Sequence, residues 1–478
     1  MRIALIAGVS CAALVAAPAL AQDQSNAALQ ARLDALEVRV GTLERRNAEL
    51  ERQLAASSPA PAPAVAQTAP PSPPPATASV VEPAQWTIVP KFTSPNGAFS
   101  FKPRGALDVD YAAFNERRGG YDYNNGTQIR RGRFGFDGTA FRQFAWRIEG
   151  EWVDNKASLL DAYVAYTGIK DVTVTLGQLK VPAGLEANTS DSFNEFIERG
   201  MANTAFGAVG GERRVGLTLA YADKLLTATG GLYGAGEAVD RNPATPDEVW
   251  GVNGRVTLEP VNRPGRLIHL GASAWRVKDL ADNSVILGDR PNVRVDGGYL
   301  ERIAIARSNP EGGPETGVKT ASFYGLEGAG VLGPFSVQGE YSRLHLDRFA
   351  DAPSLNFDGY YVFGSAFLTG ESRRFKGGTV DRVEPIRPFD PARGHWGALE
   401  LALRYDRLNL TDRAFSPLDH DAHSWTAALN WYLTGNIKLL FNYIRFTGEN
   451  SPLVATPAAV YGTTAKGDAF ATRLHLDF

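Results

Sequence analysis

The chain has 478 residues, a formal charge of −3 and a single cysteine, with 49 glycines, 10% aromatic residues and two methionines. Near-neutral charge argues against a nucleic-acid binder, and one cysteine leaves no disulfide framework and no thiolate metal centre. Past residue 22 no run of about 18 apolar residues occurs, which argues against a transmembrane helix.

Residues 1–21, MRIALIAGVSCAALVAAPALA, have the order of an export signal: Arg2, an apolar stretch from Ile3 to Ala16, and an A-x-A site at Ala19-Leu20-Ala21. Cys11 lies inside it, so the mature chain is predicted to be thiol-free. Residues 22–56 place Leu29, Leu33, Leu36, Val40, Leu43, Asn47, Leu50 and Leu54 at alternating spacings of four and three. With Leu33 at a, Arg39–Glu44 and Arg46–Glu51 become g–e pairs of opposite sign across a parallel partner. Asn47 at an a position fixes register. This predicts a short parallel coiled coil, marginal alone, followed by a domain that shares its symmetry. Residues 57–85 hold nine prolines and read as an extended polyproline-II spacer.

From Trp86 onward a period of two takes over. In FAWRIEGEW, Phe144, Trp146, Ile148 and Trp152 oppose Arg147, Glu149 and Glu151. WGALELALRY and SWTAALNWYL alternate in the same way, with Leu399, Leu401 and Leu403 against Glu400 and Arg404, and Trp425 and Leu429 against Thr426 and Asn430. The last strand, DAFATRLHLDF, sets Phe470, Leu474, Leu476 and Phe478 against Arg473, His475 and Asp477. Large apolar faces paired with charged faces, on stretches ending in aromatics, predict strands with lipid outside and water inside. Sixteen are predicted: 100–113, 127–138, 143–153, 159–168, 171–180, 213–222, 225–235, 248–259, 265–276, 320–331, 334–346, 357–369, 396–410, 423–434, 436–447 and 467–478. The fold class is therefore all-β, a 16-stranded antiparallel transmembrane β-barrel over 86–478, preceded by the coiled coil and Pro-rich linker. The last strand is expected to pair with the first, leaving no edge in lipid. Connectors after odd-numbered strands (115–126, 182–212, 277–319, 448–466) are long and most others short. The stretch 370–395 is the exception. No plug domain is apparent, and the polar face is expected to line water throughout.

RRGRFGFDG (130–138), LLDAYVAY (159–166), LGQLKVPAGLE (176–186), FIER (196–199), LTGESRRF (368–375), GALELALRYDRLNL (397–410) and LNWYL (429–433) together resemble the phosphate-selective porins O and P of Gram-negative outer membranes. The resemblance implies a trimeric sixteen-stranded porin whose terminal Phe is read by the barrel-assembly machinery. It also implies pore arginines at Arg130 and Arg131, an inward loop after strand five, and a second inward segment at 370–395.

An anion channel needs fixed cations at a constriction, and arginine's planar fork suits oxyanions. Alternation turns Arg131 and Arg133 inward and Arg130 the other way or to the rim. Lys180 stands where strand five meets the inward loop. That loop carries Glu186, Asp191, Glu195 and Glu198 against Arg199, an acidity expected to repel phosphate, and the family's lysine after GLE is replaced by Ala187 and Asn188. The 370–395 segment adds Arg373, Arg374, Lys376, Arg382, Arg387 and Arg393 as a basic funnel. His420 and His423 form a possible metal pair without a fixed scaffold. No catalytic triad or nucleotide fingerprint is present, so the chain is expected to be no enzyme and to need no cofactor. The expected function is a water-filled outer-membrane channel for small solutes with a moderate preference for anions such as phosphate. Its expected partners are a homotrimer of itself, outer-membrane lipid and small anions, with the coiled coil in the periplasm. The alternative is an envelope tether whose stalk engages peptidoglycan.

Overall fold

Sixteen alternating segments close into one antiparallel barrel in the computed structural model, which describes residues 41–42, 45–46, 52, 89–118, 122–234, 250–278, 280, 283–305, 317–451 and 463–478. The chain divides into two units, 1–80 and 81–478. In the first, the described residues Gly41, Thr42, Arg45, Arg46 and Arg52 are helical, and Arg45 Nε donates to the Gly41 carbonyl at 3.0 Å. The export signal, the leucine seam with Asn47, and the proline-rich spacer lie outside the described residues.

In the second unit the barrel strands are β1 (Ser100–Arg118), β2 (Gly126–Ala140), β3 (Phe144–Val153), β4 (Lys156–Ile169), β5 (Val172–Lys180), β6 (Arg213–Ala222), β7 (Leu226–Tyr233) and β8 (Trp250–Arg263). They continue as β9 (Arg266–Lys278), β10 (Val318–Leu332), β11 (Phe335–Arg348), β12 (Leu355–Phe367), β13 (Ala398–Asn409), β14 (Asp421–Tyr432), β15 (Ile437–Ser451) and β16 (Thr463–Asp477). Each predicted strand is present, and each pairs with its sequence neighbours. β16 pairs with β1, from Ala106 opposite Asp477 to Arg118 opposite Lys466. The seam extends one residue further: Phe478 N–H donates to the Gly105 carbonyl at 3.0 Å, and Gly105 N–H to the Phe478 carbonyl at 3.1 Å. Gly105 is required there. A Cβ would lie 2.6 Å from the Phe478 ring and 2.8 Å from the Arg133 carbonyl.

The outer wall is the apolar face that alternation assigns to it. Ile148, Trp152, Val164, Leu176, Leu219, Leu326, Leu401, Leu403, Trp425 and Phe470 are all exposed on it. Closure satisfies every strand edge internally, which a wall facing hydrocarbon needs. No helix among the described residues is long and apolar enough to cross a membrane.

The lumen departs from expectation in one respect. Its polar lining does not extend throughout, because two long connectors fold inward and bury an apolar core against β9–β16. From connector 181–212 comes α1 (Met201–Gly210), with Met201 and Phe206 fully buried. From connector 279–317 comes a hairpin, Val285–Asp289 paired with Glu301–Ile305. Its Leu287 and Ile303 join Phe206, Leu344, Phe357, Leu408, Ile444 and Phe446 in one cluster. Near the long-connector end these strands carry apolar residues on their inward face as well as their outward one, so water is excluded there and the connectors are held by the hydrophobic effect. Gly359 lets α1 approach β12: a Cβ there would sit 2.6 Å from that of Ala202 and 2.7 Å from the Arg407 carbonyl.

Candidate functional site

The arginines of β2 sit beside an irregularity in the β1–β2 ladder. Asp108 pairs with Arg131 and Val109 with Ile129, so Arg130 is an extra residue without a cross-strand partner. A β-bulge of this kind keeps two successive residues on one side. Arg130 therefore faces the lumen together with Arg131 and Arg133, which corrects the orientation expected from simple alternation. Ile129 and Phe134 keep their outward positions on either side of it.

All three arginines are engaged. Arg130 donates to both carboxylate oxygens of Glu198, at 2.7 and 3.2 Å. Arg131 donates to Asp108 Oδ2 at 2.7 Å and lies 3.2 Å from Asp191 Oδ2. Arg133 donates to Glu151 and to Asp191, each at 2.8 Å. Glu198 also meets Arg294 at 3.2 Å and Arg473 at 3.0 Å. Arg473 in turn grips Asp110 through two contacts of 2.7 Å. The acidic loop is thus bound to the wall through its carboxylates, rather than presenting them as free repelling charges. Burial works against ionisation of Glu198, but Arg130, Arg294 and Arg473 outweigh it and hold its carboxyl well below the usual range. Asp191 is held down in the same way by Arg131, Arg199 and Arg133.

Across the lumen the same loop meets β11–β15. Arg373 is buried between Glu195, at 3.0 Å, and Glu400, at 2.5 Å, with its guanidinium over the Phe367 ring. Arg404 donates to the Glu198 carbonyl at 2.9 Å and stacks 4.5 Å from the Phe196 centroid. Lys438 donates to the Asn194 carbonyl at 2.8 Å. Here burial prevails: it raises the Glu186 and Glu195 carboxyls to about 7, against the lowering by Arg404 and by Arg373 respectively. Arg374 and Lys376 are exposed at a small hairpin, Phe375–Lys376 with Thr379–Val380. That hairpin is pinned inside by Arg255, which donates to the Gly378 carbonyl at 2.7 Å.

Lys180 ends β5 and donates to the Ala187 carbonyl at 2.8 Å. Its Nζ lies 3.4 Å from Glu212 Oε1, the oxygen that Arg199 Nη1 approaches at 3.2 Å and Arg213 Nη1 at 3.4 Å. Two cavities meet at this place, bounded mainly by β1–β6. One, of about 350 Å³, reaches Arg130, Arg131, Glu198 and Arg294. The other, of about 610 Å³, reaches Lys102, Arg104, Glu149, Arg382 and Phe478. Arg133, Lys180, Asp191 and Arg213 line both, so the junction carries three cations and one carboxylate. Arg213, Glu212, Asp108, Asp110, Arg294 and Arg473 were missed by the sequence reading. The run Glu212-Arg213-Arg214 at a strand start was the available signal.

Residues 101–478 match the family described as phosphate-selective porin O and P. An uncharacterised protein of Caulobacter vibrioides is 30% identical over 499 residues, covering 100% of this chain and 95% of that one. Porin O of Pseudomonas aeruginosa is 28% identical over 426 residues, covering 80% of this chain and 89% of its own. Among solved structures, the anion-selective porin from Comamonas acidovorans superposes with a TM-score of 0.52 at 14% identity, covering 80% of this chain and 100% of that one. The trimer form of OmpT from Vibrio cholerae superposes with a TM-score of 0.50 at 13% identity, covering 80% of this chain and 100% of that one. These two likenesses establish the fold.

Proposed function

We propose, for a chain that belongs to the phosphate-selective porin O and P family and is therefore an outer-membrane channel, that it passes small solutes by diffusion with a moderate preference for anions. The observation that carries this reading is the junction of the two cavities, where Arg133, Lys180 and Arg213 face Asp191. A unit charge about 4 Å from a passing ion is worth about 1 kcal/mol in bulk water and about 4 kcal/mol at an effective dielectric of 20. The cavity of about 350 Å³ is lined by seven cations (Arg130, Arg131, Arg133, Lys180, Arg199, Arg213 and Arg294) against four carboxylates (Glu151, Asp191, Glu198 and Glu212), and this positive excess favours anions.

Among the cations singled out in the sequence, Arg133 and Lys180 line both cavities. Arg130, Arg131 and Arg373 bind the inward loop, as Arg133 also does through Asp191, and Arg374 and Lys376 are exposed on the hairpin that Arg255 pins inside. Phosphate is one candidate among small anions. The assembly is a homotrimer, in keeping with the register device at Asn47. The tether alternative rests on residues 22–85, almost wholly outside the described residues, and nothing in the barrel favours it.

Reversal potentials of the reconstituted channel in a potassium chloride gradient test the reading. Chloride should permeate more readily than potassium. A cation-selective reversal potential in the wild-type channel would sink it.

A further inference from the structure

Among the described residues Glu212 is the carboxylate that Lys180, Arg199 and Arg213 share, and all three approach the same oxygen, Oε1, at 3.2 to 3.4 Å. The three cations are largely enclosed, with side-chain exposures of 19%, 15% and 13%, whereas the Glu212 side chain is 48% exposed towards the cavity it lines. A carboxylate thus occupies a built three-cation cradle from the water side. Its tether is short: the Glu212 carbonyl accepts from Val181 N–H at 3.0 Å, and Gly211 before it has φ 75°.

We infer that Lys180, Arg199 and Arg213 form a binding subsite for the carboxylate of a small permeating organic anion, and that Glu212 is a tethered competitor for it. This rests on the anion-channel reading above. The cradle suits a carboxylate better than a phosphate for two reasons. Three donors converge on a single oxygen, leaving the second carboxylate oxygen to the cavity. The same arginines also bind Asp191 (from Arg199) and Asp161 (from Arg213, at 3.0 Å), and these flanking negative charges oppose the second charge of hydrogen phosphate. Partial desolvation at the cradle works against the ionisation of Glu212, but Lys180, Arg199 and Arg213 hold its carboxyl well below the usual range, so the competitor stays charged at neutral pH. Competition of this kind weakens binding and speeds release, which a conducting site needs: solutes must enter and also leave.

Chloride current through single reconstituted channels, titrated with sodium acetate or sodium phosphate, tests the inference in wild type, Glu212→Gln and Glu212→Gln/Lys180→Met. In Glu212→Gln the acetate concentration that halves the current should fall about tenfold, and that of phosphate by less. The double variant should lose the gain for acetate. Simple removal of a negative charge would do the reverse, strengthening the doubly charged phosphate more than acetate, and that pattern would overturn the inference. So would unchanged block by both anions in a Glu212→Gln channel of normal trimer yield. A wild-type channel without chloride preference would instead defeat the underlying reading, independently of the acetate series.

Discussion

The inward loop 181–212 has two flanks that hold it by opposite means. Towards β2 and β16 it is held by charge: Asp191 and Glu198 stay ionised among Arg130, Arg131 and Arg133 of β2, Arg473 of β16 and Arg294 of the second inward connector. Towards β9–β15 it is held chiefly by apolar burial through Met201 and Phe206, alongside the Arg373–Glu195 pair, and the carboxylates on that side, Glu186 and Glu195, titrate near neutrality. The two cavities lie on the charged flank. A paired charge near water keeps its hydration partly and leaves room for ions, whereas an apolar contact excludes both. The cavities thus lie on one side of the loop and its packed anchorage on the other.

Breaking the charged flank should have the largest effect. Glu198→Ala removes the carboxylate shared by three arginines and should destabilise loop docking by about 3–5 kcal/mol. Limited proteolysis should cut within 181–212, and the reversal potential should move towards anions. Phe206→Ala breaks the other flank at a comparable or slightly smaller cost of about 3–5 kcal/mol. Conductance should rise without a change in ion preference, because no charge is altered. A selectivity shift in Phe206→Ala as large as that in Glu198→Ala would erase the distinction between the flanks.

A smaller effect isolates the junction. Arg133→Ala with Arg213→Ala should lower the chloride-to-potassium permeability ratio about fivefold, taking about 1 kcal/mol for the change in barrier. Phosphate block should weaken with it, and an unchanged ratio would move the selective point elsewhere in the barrel.

The smallest effect is that of pH. Glu186 faces Arg404, Glu340, Asn203 and the Gly200 N–H, and Glu195 faces Arg373, Glu400 and Lys438; both carboxyls stand at about 7, above their ordinary value of 4.5. The docked loop therefore binds these protons more tightly than an undocked one. The stabilisation is full below about 4.5 and is lost as pH rises through about 7. From pH 8 to pH 6, proteolysis of the loop should slow and the anion preference should increase, by less than twofold. Faster cleavage at pH 6 would contradict the assignment of these groups.

The strands were legible because lipid on one side and water on the other enforce a period of two, and Leu401, Trp425 and Phe470 stand outside as alternation requires. The inward position of Arg130 was implied by the family resemblance but not legible from alternation, which has no term for an extra residue; the pairing of Val109 with Ile129 accounts for it. The filled side of the lumen left a trace that was passed over. In FNYIRF, Phe441 and Tyr443 point outward while Ile444 and Phe446 are buried, so both faces of β15 are apolar. Val285, Leu287, Ile303 and Ile305 likewise alternate within a connector read as a plain loop. The ion pairs themselves were invisible: Glu198 meets Arg473 across 275 residues, and a count of acidic residues cannot tell a docked carboxylate from a free one.

The bulge at Arg130 bears on how such a wall changes over time. Removing Arg130 alone would leave Ile129 outside, Arg131 inside and Phe134 outside, with every later residue of β2 in its present phase. A single-codon deletion at this point thus subtracts one luminal charge while the lipid-facing surface is untouched. Elsewhere in β2 the same event would turn the strand inside out. At this place the reading frame of the wall is forgiving, and the pore's charge can change by a whole residue rather than by substitution alone.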